Sequence, residues 1–507
     1  AYRVKSDGQC KSRVCILGNK MPESDIDTSS PTPRMSSVRI LLAKAINEDI
    51  EFRILDCQTA FLNAPAHGQT YLRLPPGRNK PGYAALLLKN LYGSTHAPRA
   101  WHNMLHNWFV SNGFKSNPHD PCIYTRPPAK GSKEKPFHCV VHVDDIGYVG
   151  TPQQCEKFEK EIGHSEKGFA VDYLGRLGID KTAMRYLGVQ VERKSDRFEL
   201  HTTQLIDNML KKVGKQDINS SGVPMRDIRL SSADCPKTET EKQAVTHLPY
   251  RILLGQCGWI VGCRPDIAYA YKELARLANN FGRAHWDALM ELIGYLKKTK
   301  ETHKLTIARG GGMILSAYAD ADWNSDKDSH LSTTGWIIFL GDAPISWCSR
   351  MQRCVAKSTA ESEYVSLSSL TQELIYIQML CASLDNPTQT INVFSNTGTE
   401  DKPGCVTTWR KYIQENPTCT PFIYSDSQNA IANARMPPGW LQEALRHVKT
   451  ALHFFKQFVY EKLINLEHCR SEDNPADIMT KGWGKAKTNN QKSNDFKKHA
   501  EFCLGRR

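Results

Sequence analysis

Two adjacent carboxylates, Asp144 and Asp145, stand inside the apolar, β-branched run "FHCVVHVDDIGYVG". Val140, Val141, Val143, Ile146, Tyr148 and Val149 around them are strand formers, so the acids fall at a tight hairpin turn that presents both at one point. Touching acids repel and resist burial, and a pair kept in such a setting needs a cation. A third acid has a similar setting: in "IEFRILDCQTAFLNA", Asp56 ends the apolar strand 52–55. Two strand ends, one with Asp and one with Asp-Asp, can converge on two divalent ions. Such a pair, roughly 4 Å apart, serves in-line phosphoryl transfer by activating the attacking oxygen and holding the leaving one. Magnesium prefers this hard-oxygen, partly hydrated setting.

The elements that must position these acids are spread over 507 residues, enough for two to four domains. A hydrophobic content of 40% and a charged content of 23% are those of a globular protein, and no apolar stretch reaches the roughly 18 residues of a membrane span. The formal charge of +13 fits either a solubility feature or a polyanionic partner. The 16 cysteines form no CxxC pair and no zinc-finger spacing, and with no signal peptide at the start they read as reduced intracellular thiols. The first residue is Ala1, not Met, which reads as a piece of something longer.

Polar, punctuated segments at 221–243 and 386–418 and a basic one at 481–499 divide the chain into a first block with the Asp pair, a middle helical block and a strand-rich third block. In the middle block Ile267, Ala270, Leu274, Leu277 and Ala278 fall at helical spacing, with Asp266 as a cap. The third block has strand signals at 315–319, 334–340 and 343–348, which a three-stranded antiparallel meander satisfies. Tyr364, Leu367, Leu370, Leu374 and Ile377 then repeat at helical spacing, and "PFIYSDSQNAIANA" ends a strand at Asp426 and starts a helix.

"LDCQTAFLN", "LYGSTHAPRAWHNMLHNWFVSNGF" and "HVDDIGYVG" occur in the order and approximate spacing of the reverse transcriptase of copia-type LTR retrotransposons, which this chain resembles. "YRVKSDGQCKSRVCILGNK" is similar to the fingers strands, and "MRYLGVQVER" to the palm segment after the hairpin. The likeness continues through "YRILLGQCGWIVGCRPDIAYA" to the end and covers nearly all of the chain. It implies an α+β multidomain fold: a right-hand polymerase with fingers and palm at 1–200, a mostly helical thumb and connection at 201–304, an RNase H-like α/β domain at 305–485 with an insertion near 386–418, and a basic tail at 486–507. The first fingers strand of the family, ahead of "YRVKSDG", has no counterpart, nor do its protease, integrase and zinc knuckle.

The resemblance also assigns residues. Asp56, Asp144 and Asp145 are carried over as polymerase metal ligands. Phe61 takes the place of the aromatic that meets the incoming sugar and rejects a 2′-hydroxyl, with core packing as the other reading. Tyr92 and Gly93 match the motif along nucleotide and template, and Arg13 and Lys11 the fingers cations that meet the triphosphate. Ser94, Thr95 and His96 replace the Leu-Lys-Gln of family members, which removes a template-facing lysine and no catalytic group. In the third block the match selects Asp320, Glu361, Asp426 and Asp477 as catalytic carboxylates around two Mg2+ ions, setting aside Asp322, Glu363 and Asp473. His447 matches a recurrent histidine whose usual Asp partner is here Lys449, so it reads as structural.

The implied activity is RNA-directed DNA polymerase joined to ribonuclease H, copying element RNA into DNA and degrading the RNA of the hybrid. The implied cofactor is Mg2+, two per site, with Mn2+ as a substitute. The implied partners are an RNA template, a DNA primer, the RNA–DNA hybrid and deoxynucleoside triphosphates, in a cytoplasmic particle or nucleus, with a homodimer or heterodimer compatible and no membrane. Two other readings stay open: a domesticated nucleic-acid-binding protein without catalysis, and a nuclease whose polymerase is inactive. All seven expected metal ligands are present, which favours an intact enzyme.

Overall fold

A computed structural model describes residues 2–4, 10–12, 14–21, 27–74, 77–164, 168–213, 218, 222–387, 390–392, 406–437, 449–483 and 490–506. The chain forms two compact units, the first mainly Ile50–Lys181 and the second mainly Thr182–Ala382 with the described residues after 389. Arg13 and His447 lie outside the described residues, as does much of the expected insertion. Among the described residues no helix is long and apolar enough to cross a membrane.

The first unit is built on a six-stranded sheet. Its strands are β1 (Glu51–Cys57), β2 (Lys115–Ser116), β3 (Ile123–Arg126), β4 (Phe137–His142), β5 (Asp145–Gly150) and β6 (Val171–Arg176). They lie in the order β6-β1-β5-β4-β3-β2, every neighbouring pair antiparallel. Helices α1 (Ala97–Ser111) and α2 (Pro152–His164) complete its core. On α1 the buried residues Ala97, Trp101, Leu105, Trp108 and Phe109 recur at helical spacing, and Pro98 sits in the first turn where no amide partner is lost. Their rings pack with Phe114, Tyr124, Phe137, Tyr148 and Phe158.

In the second unit, β7 (Ala183–Tyr186), β8 (Val189–Arg193), β9 (Arg197–His201) and β10 (Leu305–Ala308) form an antiparallel sheet in chain order. Helices α3 (Thr203–Val213), α4 (Tyr250–Ile260), α5 (Ala268–Arg276) and α6 (Arg283–Thr299) share one apolar core, as the periodicity of the middle block predicts. Two boundaries differ from expectation. Residues 183–201 form one sheet with β10, through the β9–β10 pairing, and belong to this unit, not with the preceding block, and β10 itself joins that sheet and not the one that follows. The segment expected as a basic tail contains helix α10 (Asn490–Cys503), whose Phe496, Ala500 and Cys503 enter the same core.

The remaining sheet has β11 (Leu315–Asp322), β12 (Thr333–Leu340) and β13 (Ala343–Met351) as an antiparallel meander. Helix α7 (Thr359–Asp385) follows, then β14 (Phe422–Ser425), α8 (Gln428–Arg435), α9 (Lys449–Tyr460) and β15 (Asn465–His468). The order is β13-β12-β11-β14-β15, with β14 parallel to both β11 and β15. Three antiparallel strands, a helix and two added parallel strands are the RNase H-like arrangement.

Candidate active sites

The Asp144–Asp145 turn joins β4 to β5, and β5 runs antiparallel to β1 with Asp145 directly opposite Asp56. Residues opposite one another point to the same face, so these carboxylates are neighbours at one end of the sheet. The turn is strained: Val143 has a φ of 56°, a region a β-branched side chain seldom enters. Two hydrogen bonds hold it there. The Trp101 indole donates to the Val143 carbonyl at 2.6 Å, and the Cys57 amide donates to the Asp144 carbonyl at 2.7 Å. Burial and then the charges of Asp56, Asp144 and Asp145 push the Cys57 thiol up.

The sequence reading did not pick out Asp172, which lies on β6 opposite Asp56 and accepts from Gln58 at 2.6 Å. Three acids thus stand abreast across β6, β1 and β5. Among the described residues their oxygens do not form a group of three within 4.8 Å of one another; another set does.

Phe61 lies on the short helix Ala60–Asn63, which starts three residues after β1, and its half-buried ring meets Tyr92 edge-on with centroids 5.2 Å apart. Gly93 has a φ of 86°, and a Cβ there would meet the Ile16 carbonyl oxygen at 2.1 Å, so only glycine fits. Lys11 lies in the short strand Cys10–Ser12, opposite Arg3.

That second set is Asp320, Glu363 and Asp426, with one ligand atom each inside 4.8 Å. Parallel pairing of Tyr318 with Tyr424 puts Asp320 and Asp426, each two residues further on, at the same level of the sheet. Asp477 joins them from the 3-10 turn Pro475–Met479 after β15, close enough to raise the pKa of Glu363. Asn474 locks that turn by accepting from the Ala476 amide at 3.1 Å and donating to the Ala319 carbonyl at 2.9 Å. The turn approaches β12 only because residue 335 is glycine: a Cβ would meet Thr480 Cγ2 at 2.5 Å. The Thr480 hydroxyl donates to Asp320, and the Ser471 hydroxyl to Asp426 at 2.5 Å.

Glu361 is not part of this cluster. It is fully buried, and its Oε2 accepts from the Lys357 amide at 2.7 Å, a bond that closes the first turn of α7. Glu363 precedes Leu367, Leu370, Leu374 and Ile377 by four, seven, eleven and fourteen residues, so it continues the buried stripe of α7 over the sheet. That stripe, extended one turn backwards, was the sequence signal for Glu363. Of the other acids set aside, Asp473 pairs with Lys498 at 2.8 Å, and Asp322 stands 3.6 Å from Arg229.

The electrostatics are those of a site short of positive charge. Burial, followed by repulsion from Asp320 and Asp426, pushes the Glu363 carboxyl well up. Burial and then Asp320 raise Asp477 to about 7, and burial raises Asp320. Glu363 Oε2 is buried and meets no hydrogen-bond donor. A divalent cation fits this donor set: hard oxygens with raised affinity for protons and one unsatisfied lone pair.

Residues 2–227 match the family model described as reverse transcriptase (RNA-dependent DNA polymerase). The retrovirus-related Pol polyprotein from transposon TNT 1-94 of Nicotiana tabacum is 28% identical over 494 residues, 95% of this chain and 34% of that protein. The counterpart from transposon RE1 of Arabidopsis thaliana is 27% identical over 94% of this chain and 30% of its own length. The chain therefore spans about a third of these curated relatives. The crystal structure of RNase H1 from Halobacterium salinarum covers 33% of this chain and 94% of that one at 14% identity and a TM-score of 0.19. The chain is homologous over most of its length to the Pol polyproteins of copia-type retrotransposons, and its residues 2–227 match the reverse transcriptase family model.

Proposed function

We propose that the chain is an RNA-directed DNA polymerase joined to a ribonuclease H, which copies element RNA into DNA and cuts the RNA strand of the hybrid. The first unit supplies fingers and palm, and the helices α3 to α6 supply thumb and connection. The observation that carries the nuclease half is the meeting of Asp320, Glu363 and Asp426 within 4.8 Å, with Glu363 Oε2 unsatisfied. These three and Asp477 would hold Mg2+, or Mn2+ in its place. Bound magnesium supplies the Lewis-acid charge that favours an attacking hydroxide and offsets charge on the leaving oxygen. The protein's own part is to fix the carboxylates: Thr480 on Asp320, Ser471 on Asp426, and Asn474 on the turn bearing Asp477.

In the polymerase half, Asp56, Asp144 and Asp145 are the proposed ligands, supported by the reverse transcriptase match and by their place at one sheet end. Phe61, edge-on to Tyr92, is the proposed steric check on the incoming sugar, where it would exclude ribonucleotides. Template RNA, DNA primer and deoxynucleoside triphosphates are the proposed partners. A second reading, a nuclease with a silent polymerase, is favoured by one observation: the first trio does not converge as the second set does.

Primer extension on an RNA template and cleavage of an RNA–DNA hybrid, both with magnesium, test this. Asp144→Asn should remove synthesis by orders of magnitude and leave cleavage intact. Cleavage without synthesis in the parental chain would select the second reading, and absence of both would leave a binding protein.

A further inference from the structure

Beside the carboxylate cluster lies a cleft of about 340 Å³ whose charged lining is Asp227, Asp322, Asp477 and Asp495 with Arg229 and Lys481. Arg229 is committed within it, 3.6 Å from Asp322 and 3.4 Å from the Asn324 carbonyl. Lys481 is placed differently. It follows the locked turn, its ammonium stands 2.8 Å from Asp477 Oδ1, and its side chain is 46% exposed into the cleft. It is thereby in ion-pair contact with one of the four acids, Asp477.

Charge counting gives this position a purpose. Four carboxylates and two divalent cations are about neutral together, so a phosphodiester that enters adds a negative charge with no partner. An ammonium held by Asp477 at the mouth of the cluster, and still open to solvent, supplies that partner without a long side chain having to be ordered on binding. Resting on the nuclease reading above, we propose that Lys481 is a substrate contact, its ammonium binding a phosphodiester of the RNA strand that reaches the Asp320–Glu363–Asp426–Asp477 cluster. The competing account is that Lys481 only neutralises Asp477 until metal arrives.

The two accounts differ in what they do to substrate and salt. Hybrid cleavage is measured for the parental chain, Lys481→Gln and Lys481→Arg over a range of KCl, and magnesium binding to each without substrate is measured by calorimetry. On our proposal Lys481→Gln raises KM about tenfold, the worth of one charge-assisted contact, and changes kcat little. It also lowers the slope of log kcat/KM against log salt by about 1, and Lys481→Arg restores most of both. Loss of the ammonium beside Asp477 favours magnesium binding on either account, so KM and the salt slope are what discriminate. Tighter magnesium binding in Lys481→Gln with an unchanged KM would make the lysine a counter-ion only. Equilibrium binding of the hybrid in calcium separates the two failures. A parental chain that binds but does not cut overturns the nuclease reading; equal salt slopes for parental chain and Lys481→Gln overturn the lysine assignment.

Discussion

The Trp101 indole donates to the main-chain carbonyl of Val143 at 2.6 Å, and so an aromatic residue of α1 holds the strained turn that carries Asp144 and Asp145. Trp101 is 1% exposed, and its ring also meets Phe169 edge-on. Trp101→Phe keeps most of the packing and deletes the donor, leaving a carbonyl unpaired at a cost of about 1–3 kcal/mol. We expect urea unfolding of the first unit to shift by that amount and primer extension to fall more than tenfold, with hybrid cleavage retained. Full primer extension in Trp101→Phe would show that the turn holds itself.

The two glutamates at the start of α7 should respond differently. Glu363→Gln should abolish hybrid cleavage and reduce the gain in thermal stability that magnesium gives. Glu361→Gln retains an oxygen to accept from Lys357 and should keep cleavage within a few-fold of the parental rate. The reverse pattern would return Glu361 to the catalytic set.

Sugar selection tests Phe61. Its ring sits edge-on to Tyr92 and only half-buried, at the rim of the core. Phe61→Val should admit ribonucleotides while synthesis continues, read as the ratio of kcat/KM for the two sugars. An unchanged ratio combined with a lowered unfolding midpoint would make Phe61 a core residue.

One buried and one half-buried histidine predict an acid limb for the second unit. Burial lowers His303 and His499 to about 4, below the 6.5 of a free imidazole. Between those values the unfolded chain binds protons that the folded one refuses, so stability is full above pH 6.5 and is lost as pH falls toward 4. The loss is about 3 kcal/mol at most per histidine. Urea midpoints taken from pH 7 to pH 4.5 should fall, and His499→Gln should flatten the decline. A decline of unchanged steepness in that variant would place its origin elsewhere.

How far the sequence reaches depends on whether the determining contacts are local. The Asp144–Asp145 hairpin and the meander of β11 to β13 were legible because alternation and strand formers mark them within a dozen residues. Motif position favours Glu361 over Glu363, although the spacing to Leu367 and Leu370 already marks the face of α7 that meets the sheet. Charge hid α10: its lysines read as a tail, while Phe496, Ala500 and Cys503 stood at i, i+4 and i+7. The pairing of β9 with β10 joins segments about a hundred residues apart, and no local signal announces such a partner.

That pairing decides where the molecule can be divided. A fragment ended at residue 200 would keep β7, β8 and most of β9 but lose β10, leaving a ladder of unanswered amides and carbonyls along β9. An edge of that kind recruits other chains, and such a fragment should precipitate. A cut after Lys181 leaves the six-stranded sheet whole, and the soluble yield of the two truncations is a direct measure of where one folding unit stops and the next begins.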